Sequence, residues 1–148
     1  MKTYLIFIIV TIIAVLLNVL SYAQQADENL CRLEITITGF ENNNGYAKVA
    51  VLNSKETYDA NARFFMGFNY AIINNKVHQV MLLPKGEYAF KVYHDENGND
   101  ELDTRIMGIP AERYGFSNNA RGAFGPPSWE DSKFTVSDGE HSIFIKLR

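Results

Sequence analysis

Short segments in which apolar and polar residues alternate constrain the fold of this chain more than any other feature. From Cys31 onward, Leu33, Ile35 and Ile37 alternate with polar residues, which is the pattern of a strand with one buried face. Turn residues separate this segment from later ones, and residues 54–63 have room for a helical turn. Six later segments are also predicted as strands: residues 46–52, 65–73, 76–83, 88–94, 133–136 and 142–147.

The number and spacing of these strands predict the fold class. Seven short strands, with turn signals at close spacing and no convincing long helix among them, are typical of an all-β protein. We predict an antiparallel, immunoglobulin-like β-sandwich with one long ordered loop, formed as a single domain by residues 31–148. A closed barrel is the alternative architecture for the same pattern.

The first 23 residues have the pattern of a secretory signal peptide. Lys2 gives the positive start, residues 4–20 are apolar except for Thr11 and Asn18, and Ser21-Tyr22-Ala23 supplies a small-x-small cleavage site. An uncleaved membrane anchor is the alternative, because the apolar run is near the lower limit for a spanning helix. The cleavage site favours export to the periplasm, the cell surface or the medium, with residues 24–30 as a flexible leader.

Charge and cysteine content narrow the possible partners. Cleavage after residue 23 removes Lys2 and no acidic residue, so the formal net charge goes from −3 to −4. No basic stripe is available for nucleic acid or anionic lipid, and we expect a monomer that is not inserted in a membrane. Cys31 is the only cysteine, so an internal disulfide is excluded. We interpret it as an inert thiol at a strand start; an intermolecular disulfide is the alternative.

A long interruption separates the fifth and sixth predicted strands. The 36 residues between His94 and Asp131 have no sustained period, and a loop of that length in a compact domain is usually functional or disordered. Its aromatic and aliphatic residues argue against disorder, and its glycines and prolines suit tight reversals. We therefore predict an ordered excursion that packs on itself and on one end of the sandwich.

The excursion begins with a loop that has the spacing of calcium ligands. Asp95, Asn97 and Asn99 place short oxygen-bearing side chains at alternate positions, as a backbone that curls around an ion requires. Glu101 would offer its backbone carbonyl, and Asp103 a carboxylate or a bound water. These five residues are the predicted metal site, and calcium is the expected cofactor.

Two departures from a full calcium loop predict weak binding. Asp100 stands at the sixth position, where glycine is usual, and Ile106 stands at the twelfth in place of a bidentate glutamate. We expect a dissociation constant on the order of 10⁻⁴–10⁻³ M, with Leu102 facing the core and tying the loop to the domain. The alternative is an acidic turn without metal, and zinc is disfavoured because the histidines lack close ligand spacing.

The second half of the excursion offers a candidate contact surface. Aromatic faces beside amides and one arginine suit a sugar or a peptide. In the competing interpretation, which we favour, the aromatic residues form the loop's own core and the amides form hydrogen bonds with its backbone. An ordered loop must first provide hydrogen-bond partners for its own backbone groups before it can bind anything else. The predicted contact residues are Tyr114, Phe116, Asn118, Asn119, Arg121 and Trp129.

Catalysis has weak support in the sequence. His94 and Asp95 with Ser117 or Ser128 could be drawn as a hydrolytic set, but the chain has no G-x-S-x-G nucleophile elbow. His94 also continues the inward face of its strand, so it is better explained as a residue that braces the loop. A secreted hydrolase that uses His94 and the long loop remains the alternative function.

Several motifs together carry a family resemblance. The motifs are His94-Asp95-Glu96-Asn97-Gly98-Asn99, Leu102-Asp103, Gly108-Ile109-Pro110, residues 114–122 and residues 124–128. They resemble domain-of-unknown-function family 2141, a set of small exported bacterial proteins, over nearly all of residues 31–148. The resemblance implies a bacterial origin and a transthyretin-like β-sandwich, and it implies no activity. Asp100 departs from the glycine expected there.

These observations predict an exported, non-catalytic β-sandwich module that is stabilised by a calcium-type loop. Its expected partner is a glycan, a peptide or another envelope component. Besides the hydrolase, a purely structural envelope protein with no ligand beyond the ion is an open alternative.

Overall fold

The computed structural model describes residues 2–27, 29–60 and 63–148, and the chain divides into two compact units. The first unit, Met1–Leu30, contains helix α1, Lys2–Asp27. This helix extends into the predicted leader, because alanine and glutamine after Ala23 are good helix formers and no glycine or proline ends it. Of the helices in the described residues, none is both long and apolar enough to cross a membrane.

The described part of the second unit is mostly strand. Sheet A has the order β4-β1-β8, and sheet B has the order β3-β2-β5-β6, with β7 paired to the start of β5. Two short helices, α2 (Lys55–Ala60) and α3 (Trp129–Ser132), complete it. The strands are β1 (Leu30–Thr38), β2 (Tyr46–Leu52), β3 (Met66–Ala71), β4 (Lys76–Pro84), β5 (Gly86–Asp95), β6 (Tyr114–Phe116), β7 (Phe134–Val136) and β8 (Glu140–Lys146).

This arrangement confirms the predicted all-β sandwich, and the described strands form no closed barrel. The expectation of purely antiparallel pairing is corrected at one place: β1 and β8 are parallel, from Arg32 opposite Glu140 to Thr38 opposite Lys146. The sequence could not show this, because alternation has the same period of two in either strand direction. A parallel pair needs a long crossover, and here almost the whole domain lies between the two strands.

The main core lies between the two sheets. It contains the predicted alternating residues of β1, with Val49 and Val51 of β2 and Phe90 and Val92 of β5. Ile145 and Leu147 close it from the β8 side, while Phe134 and Ile143 are only partly buried against it. Cys31 is a free, buried cysteine, which agrees with its interpretation as an inert thiol.

A second, smaller core covers part of the outer face of sheet B. Leu52, Tyr58, Ala89, Phe116 and Trp129 form it where α2 and α3 pack on the sheet. The Tyr58 hydroxyl donates to the Pro127 carbonyl over 3.0 Å and lies 2.9 Å from the Ser132 hydroxyl. This cluster therefore fixes one end of the outer face.

Strand β6 was not predicted, because it has only three residues and a glycine at its centre. That glycine faces inward, where an added Cβ at Gly115 would lie 3.0 Å from Ile145 and 3.1 Å from Leu147. The close approach lets β6 pair with β5 directly above the core. As a result, Tyr114 and Phe116 both point outward from sheet B.

Candidate functional site

The strand registers place two rows of side chains across the outer face of sheet B. The pairings Lys48 with Asn69, Lys48 with Tyr93, and Tyr93 with Tyr114 define the first row. The second row is Gly67, Ala50, Lys91 and Phe116, from the next pairings along the same strands. The first row is polar and aromatic, whereas the β3–β2 end of the second row has only the small side chains of a glycine and an alanine.

Three segments flank these rows and enclose a groove of about 690 Å³ on the sheet face. Phe64 lies over Gly67, since an added Cβ there would come within 2.5 Å of the phenyl ring. Pro126 approaches from the second half of the long excursion. Asp100 and Leu102, from the acidic loop, line the opposite end.

The acidic loop is organised around the carboxylate of Asp95. This side chain is completely buried, although it starts an otherwise exposed loop. Its Oδ1 accepts hydrogen bonds from the backbone N–H groups of Gly98 (2.8 Å) and Asn99 (3.1 Å). Its Oδ2 accepts one from Asp100 N–H over 3.1 Å. The backbone therefore curls around a carboxylate, which is the shape of an anion-binding nest.

Lys48 joins this loop to sheet B. Its Nζ lies 3.5 Å from Asp95 Oδ2 and forms a second, closer ion pair with the Asp100 carboxylate. The hydrogen bond to Asp100 is the main reason that the pKa of Lys48 is raised above its ordinary value. Asp100 has the positive φ, 67°, expected at the sixth loop position. Sequence reasoning missed Lys48, because nothing local connects it to the loop.

The far side of the loop is closed by a second carboxylate. The side-chain amides of Asn97 and Asn99 donate to the two oxygens of Asp103, over 2.7 Å and 3.1 Å. Glu112 then accepts from the backbone N–H groups of Glu96 (2.9 Å) and Asp103 (3.1 Å), so it ties both ends of the loop together. Glu112 was also missed, because it follows the loop by nine residues without a recognisable motif.

The structure thus divides the five predicted metal ligands between two centres. Asn97, Asn99 and Asp103 meet one another, Asp95 turns onto the backbone, and Glu101 takes part through its N–H, which donates to Asn99 Oδ1 over 2.9 Å. Among the residues described, no three His, Cys, Asp or Glu side chains form a group with metal-ligand geometry.

The expectation that Leu102 faces the core is wrong. Its side chain is 37% exposed and lines the groove. The reason is that the loop is held to the domain by Lys48 and Glu112, through charge and hydrogen bonds, and needs no apolar anchor.

The predicted contact residues fall into two groups. Tyr114 and Phe116 line the groove. Asn118 donates to the Lys133 carbonyl over 2.8 Å, and Asn119 accepts from Lys146 N–H over 2.7 Å. Both amides therefore serve the chain's own backbone, as the favoured interpretation expected.

Trp129 and Arg121 also lie apart from the groove. Trp129 is 5% exposed and packs edge-on against Tyr58, with ring centroids 5.8 Å apart. Arg121 is exposed and lines a smaller cavity of about 120 Å³ with Lys146 and Arg148.

His94 has a structural place in the sandwich. It is 1% exposed, its Nε2 lies 2.8 Å from the Asn44 carbonyl, and its ring stands edge-on to Phe40. Ser117 donates to the Ser132 carbonyl and accepts from Phe90 N–H. Ser128 caps α3 by accepting from Asp131 N–H. Each member of the hydrolytic set drawn from the sequence therefore has a role in holding the fold.

Fold and site define the class as a β-sandwich with a groove on one outer sheet face, walled by an acidic loop. The chain belongs to the family described as "Uncharacterized protein conserved in bacteria (DUF2141)", whose model matches residues 35–144. Neither a curated protein nor a solved structure gives a significant match.

Proposed function

We propose that this protein is an exported, non-catalytic module that binds its ligand in the groove on the outer face of sheet B. The observation that carries the proposal is the groove itself, with a volume of about 690 Å³. Ligand sites usually occupy about 300–1,000 Å³ and combine apolar walls with a few placed polar groups. Here the aromatic rings of Phe64, Tyr93 and Tyr114 stand beside Lys48 and Asn69.

Contacts within the protein hold both ends of the groove in place without a ligand, which supports a binding role. The Asp95 carboxylate and Glu112 hold the acidic loop, and the buried cluster around Trp129 holds the other end. A site that is already formed avoids the ordering cost that a flexible loop would add to binding. The side chains of His94 and Ser117 are buried and help to hold the fold, which favours a binding module over the hydrolase.

Lys91 gives the groove an unusual cation. Its Nζ donates to the Tyr58 carbonyl over 2.7 Å and lies 4.2 Å from the centroid of the Tyr58 ring. Burial lowers the pKa of Lys91, although the charge of Asp59 opposes that effect. A desolvated ammonium beside aromatic rings is a feature of binding clefts rather than of solvated surfaces.

A fragment screen by NMR tests the groove as a site. Several hundred small, chemically diverse molecules are added to ¹⁵N-labelled protein, and amide shifts are mapped. We expect hits to cluster at the amides of Lys48, Tyr93 and Tyr114 and to be lost in Tyr114→Ala. Fragments that bind nowhere, or only at distant surfaces such as sheet A, would contradict the proposal.

Export is the second part of the proposal, and it rests on the small-x-small site that ends at Ala23. Intact-mass analysis of protein recovered from a bacterial host that expresses the full chain gives the test. We expect a mature protein that begins at Gln24, and an unprocessed chain for Ala23→Leu. A wild-type chain that retains residues 1–23 would support the anchor instead.

Weak calcium binding by the acidic loop completes the proposal. It is supported by the meeting of Asn97 and Asn99 with Asp103, which brings two amides and a carboxylate together within one loop. Carboxylate and amide oxygens are the ligands that calcium prefers. Since the single positive charge of Lys48 partly offsets the negative charges of Asp95 and Asp100, the expected dissociation constant stays on the order of 10⁻⁴–10⁻³ M.

A further inference from the structure

We infer that the ligand of this groove is an uncharged oligosaccharide. This inference rests on the proposed function, because it names the class of molecule that the outer face of sheet B would bind. It follows from three properties of the groove: the state of its backbone, the arrangement of its aromatic rings, and the mixture of its polar groups.

The backbone at the centre of the groove, in β2 and β5, is already hydrogen-bonded on both sides, whereas β3 is an edge strand of sheet B. Strand β2 pairs with both β3 and β5, and β5 pairs with both β2 and β6. Their N–H and C=O groups are therefore taken up in sheet ladders. An extended peptide usually gains affinity by adding a strand to a free sheet edge, and it would leave its own amides unpaired on this face. A saccharide needs no backbone partner, because its hydroxyl groups bond to side chains.

The aromatic rings form a platform with a facing wall. Tyr93 and Tyr114 are directly opposite each other in the β5–β6 pair, so both side chains project from neighbouring positions of the outer face. Phe116 supports Tyr114 edge-on, with centroids 5.9 Å apart. Phe64 rises on the β3 side above Gly67. The partly exposed rings of Tyr93 and Tyr114 suit the apolar C–H face of a sugar, and tyrosine hydroxyls add hydrogen bonds.

The polar groups of the groove contain both donors and acceptors. Lys48 and Asn69 supply donors, while the amide oxygen of Asn69 and the exposed carboxylate of Asp100 supply acceptors. Sugar hydroxyl groups donate and accept, so they match such a mixture. An anionic ligand fits less well, because Asp100 stands at the mouth and pairs with Lys48, and the Lys91 ammonium is already bound by the Tyr58 carbonyl and ring.

A glycan array tests the inference with named probes. The labelled full-length protein is applied to neutral oligosaccharides, to acidic ones such as uronic-acid oligomers, and in parallel to an array of unmodified peptides. We expect retention on a subset of neutral glycans. Titration with the best neutral glycan should show binding that is weaker by about tenfold or more in Tyr93→Ala and in Tyr114→Ala.

Two further variants keep the result interpretable if a tyrosine variant does not fold. Asn69→Ala removes a polar group from an exposed position of β3 and should also weaken binding. Phe144→Ala removes an exposed aromatic ring from β8, on the other sheet, and should leave binding unchanged. A wild-type melting temperature in each variant shows that the fold is intact.

The outcomes separate the inference from the function on which it rests. Binding to neutral glycans that depends on Tyr93, Tyr114 and Asn69 supports both. Binding only to acidic glycans or to peptides, with dependence on the same residues, overturns the saccharide inference and leaves the groove as a site. Glycan binding that survives all three groove variants overturns the inference as well. Absence of binding on every array, together with a negative fragment screen, overturns both.

Discussion

Lys48 Nζ lies 3.5 Å from Oδ2 of Asp95, a carboxylate whose side chain is completely buried beneath an exposed loop. The pair joins strand β2 to the first residue of the acidic loop, and it continues to Asp100 at the mouth of the groove. The Asp95 oxygens also accept three backbone N–H groups of the loop. One carboxylate thus determines both the shape of the loop and its position on the sheet.

Removal of that carboxylate should destabilise the domain. We expect Asp95→Ala to lower the free energy of unfolding by about 3–5 kcal/mol, because three backbone N–H groups lose their acceptor and Lys48 keeps only its exposed partner Asp100. Urea denaturation gives the measurement. The exposed pair of Lys55 and Asp59 on α2 is the matched control, and Asp59→Ala should have a much smaller effect. Equal small effects in the two variants would contradict the role of Asp95.

The two lysines of the groove should titrate on opposite sides of the ordinary value of 10.5. The hydrogen bond to Asp100 raises the pKa of Lys48, and burial lowers the pKa of Lys91. NMR of ¹³C-methylated lysines, assigned with Lys48→Met and Lys91→Met, measures both. We expect Lys91 to deprotonate first and Lys48 last of the two. The reverse order would contradict the described environments.

These shifts have opposite consequences for stability. Since the pKa of Lys48 is raised on folding, its contribution is complete below 10.5 and is lost as the pH rises through its folded-state pKa. The pKa of Lys91 is lowered, so its charged form costs stability at neutral pH. That cost falls as the pH rises from its folded-state pKa toward 10.5. Lys48→Met should therefore cost less stability at strongly alkaline pH than at pH 7.

The strands and their inward faces were largely predictable, because burial on one face leaves a period of two in the sequence. Leu33, Ile35 and Ile37 of β1 show this directly, and all three are buried. The parallel pairing of β1 with β8 left no such signal. Strand β6 could not be predicted either, because it has only three residues and Gly115 at its centre breaks the alternating pattern.

The site was less predictable than the fold, because its residues meet only through the registers of three strands. The spacing of Asp95, Asn97 and Asn99 indicated a curled acidic loop, and the positive φ of Asp100 agrees with its expected position. The partner of Asp95 is Lys48 on β2, and the opposite wall includes Phe64 before β3. No local pattern connects these residues, so the groove is visible only once the sheet is formed.

Trp129 should behave as a core residue rather than as a contact residue. We expect Trp129→Ala to lower the free energy of unfolding by about 3–5 kcal/mol, because it leaves a cavity beside Tyr58. Denaturation with tryptophan-independent circular dichroism measures the effect. Arg121→Ala, on the exposed part of the same excursion, serves as the control and should change stability by about 0.5 kcal/mol or less. A Trp129→Ala variant as stable as the control would contradict this assignment.

Calcium should stabilise the domain modestly and specifically. With a dissociation constant on the order of 10⁻⁴–10⁻³ M, 10 mM calcium should add about 1.4–2.7 kcal/mol to the free energy of unfolding. Thermal melts in calcium, in magnesium and in chelator measure this. We expect the gain to vanish in the double variant Asn97→Ala with Asn99→Ala and in Asp103→Ala. Melts that are identical in calcium and chelator, or an undiminished gain in these variants, would remove the metal from the account.

Hydrogen exchange at three loop amides tests most directly whether the Asp95 carboxylate holds the wall of the groove in place. The N–H groups of Gly98, Asn99 and Asp100 lie in an exposed loop, yet all three point at that carboxylate. In the presence of a chelator, we predict slow exchange at these amides in the wild-type protein. In Asp95→Ala we predict fast exchange at Gly98 and Asp100 and a smaller change at Asn99, whose N–H also donates to Asn97 Oδ1, while the core of β2 stays protected. Exchange at the rate of an unstructured peptide in the wild-type protein would contradict the account.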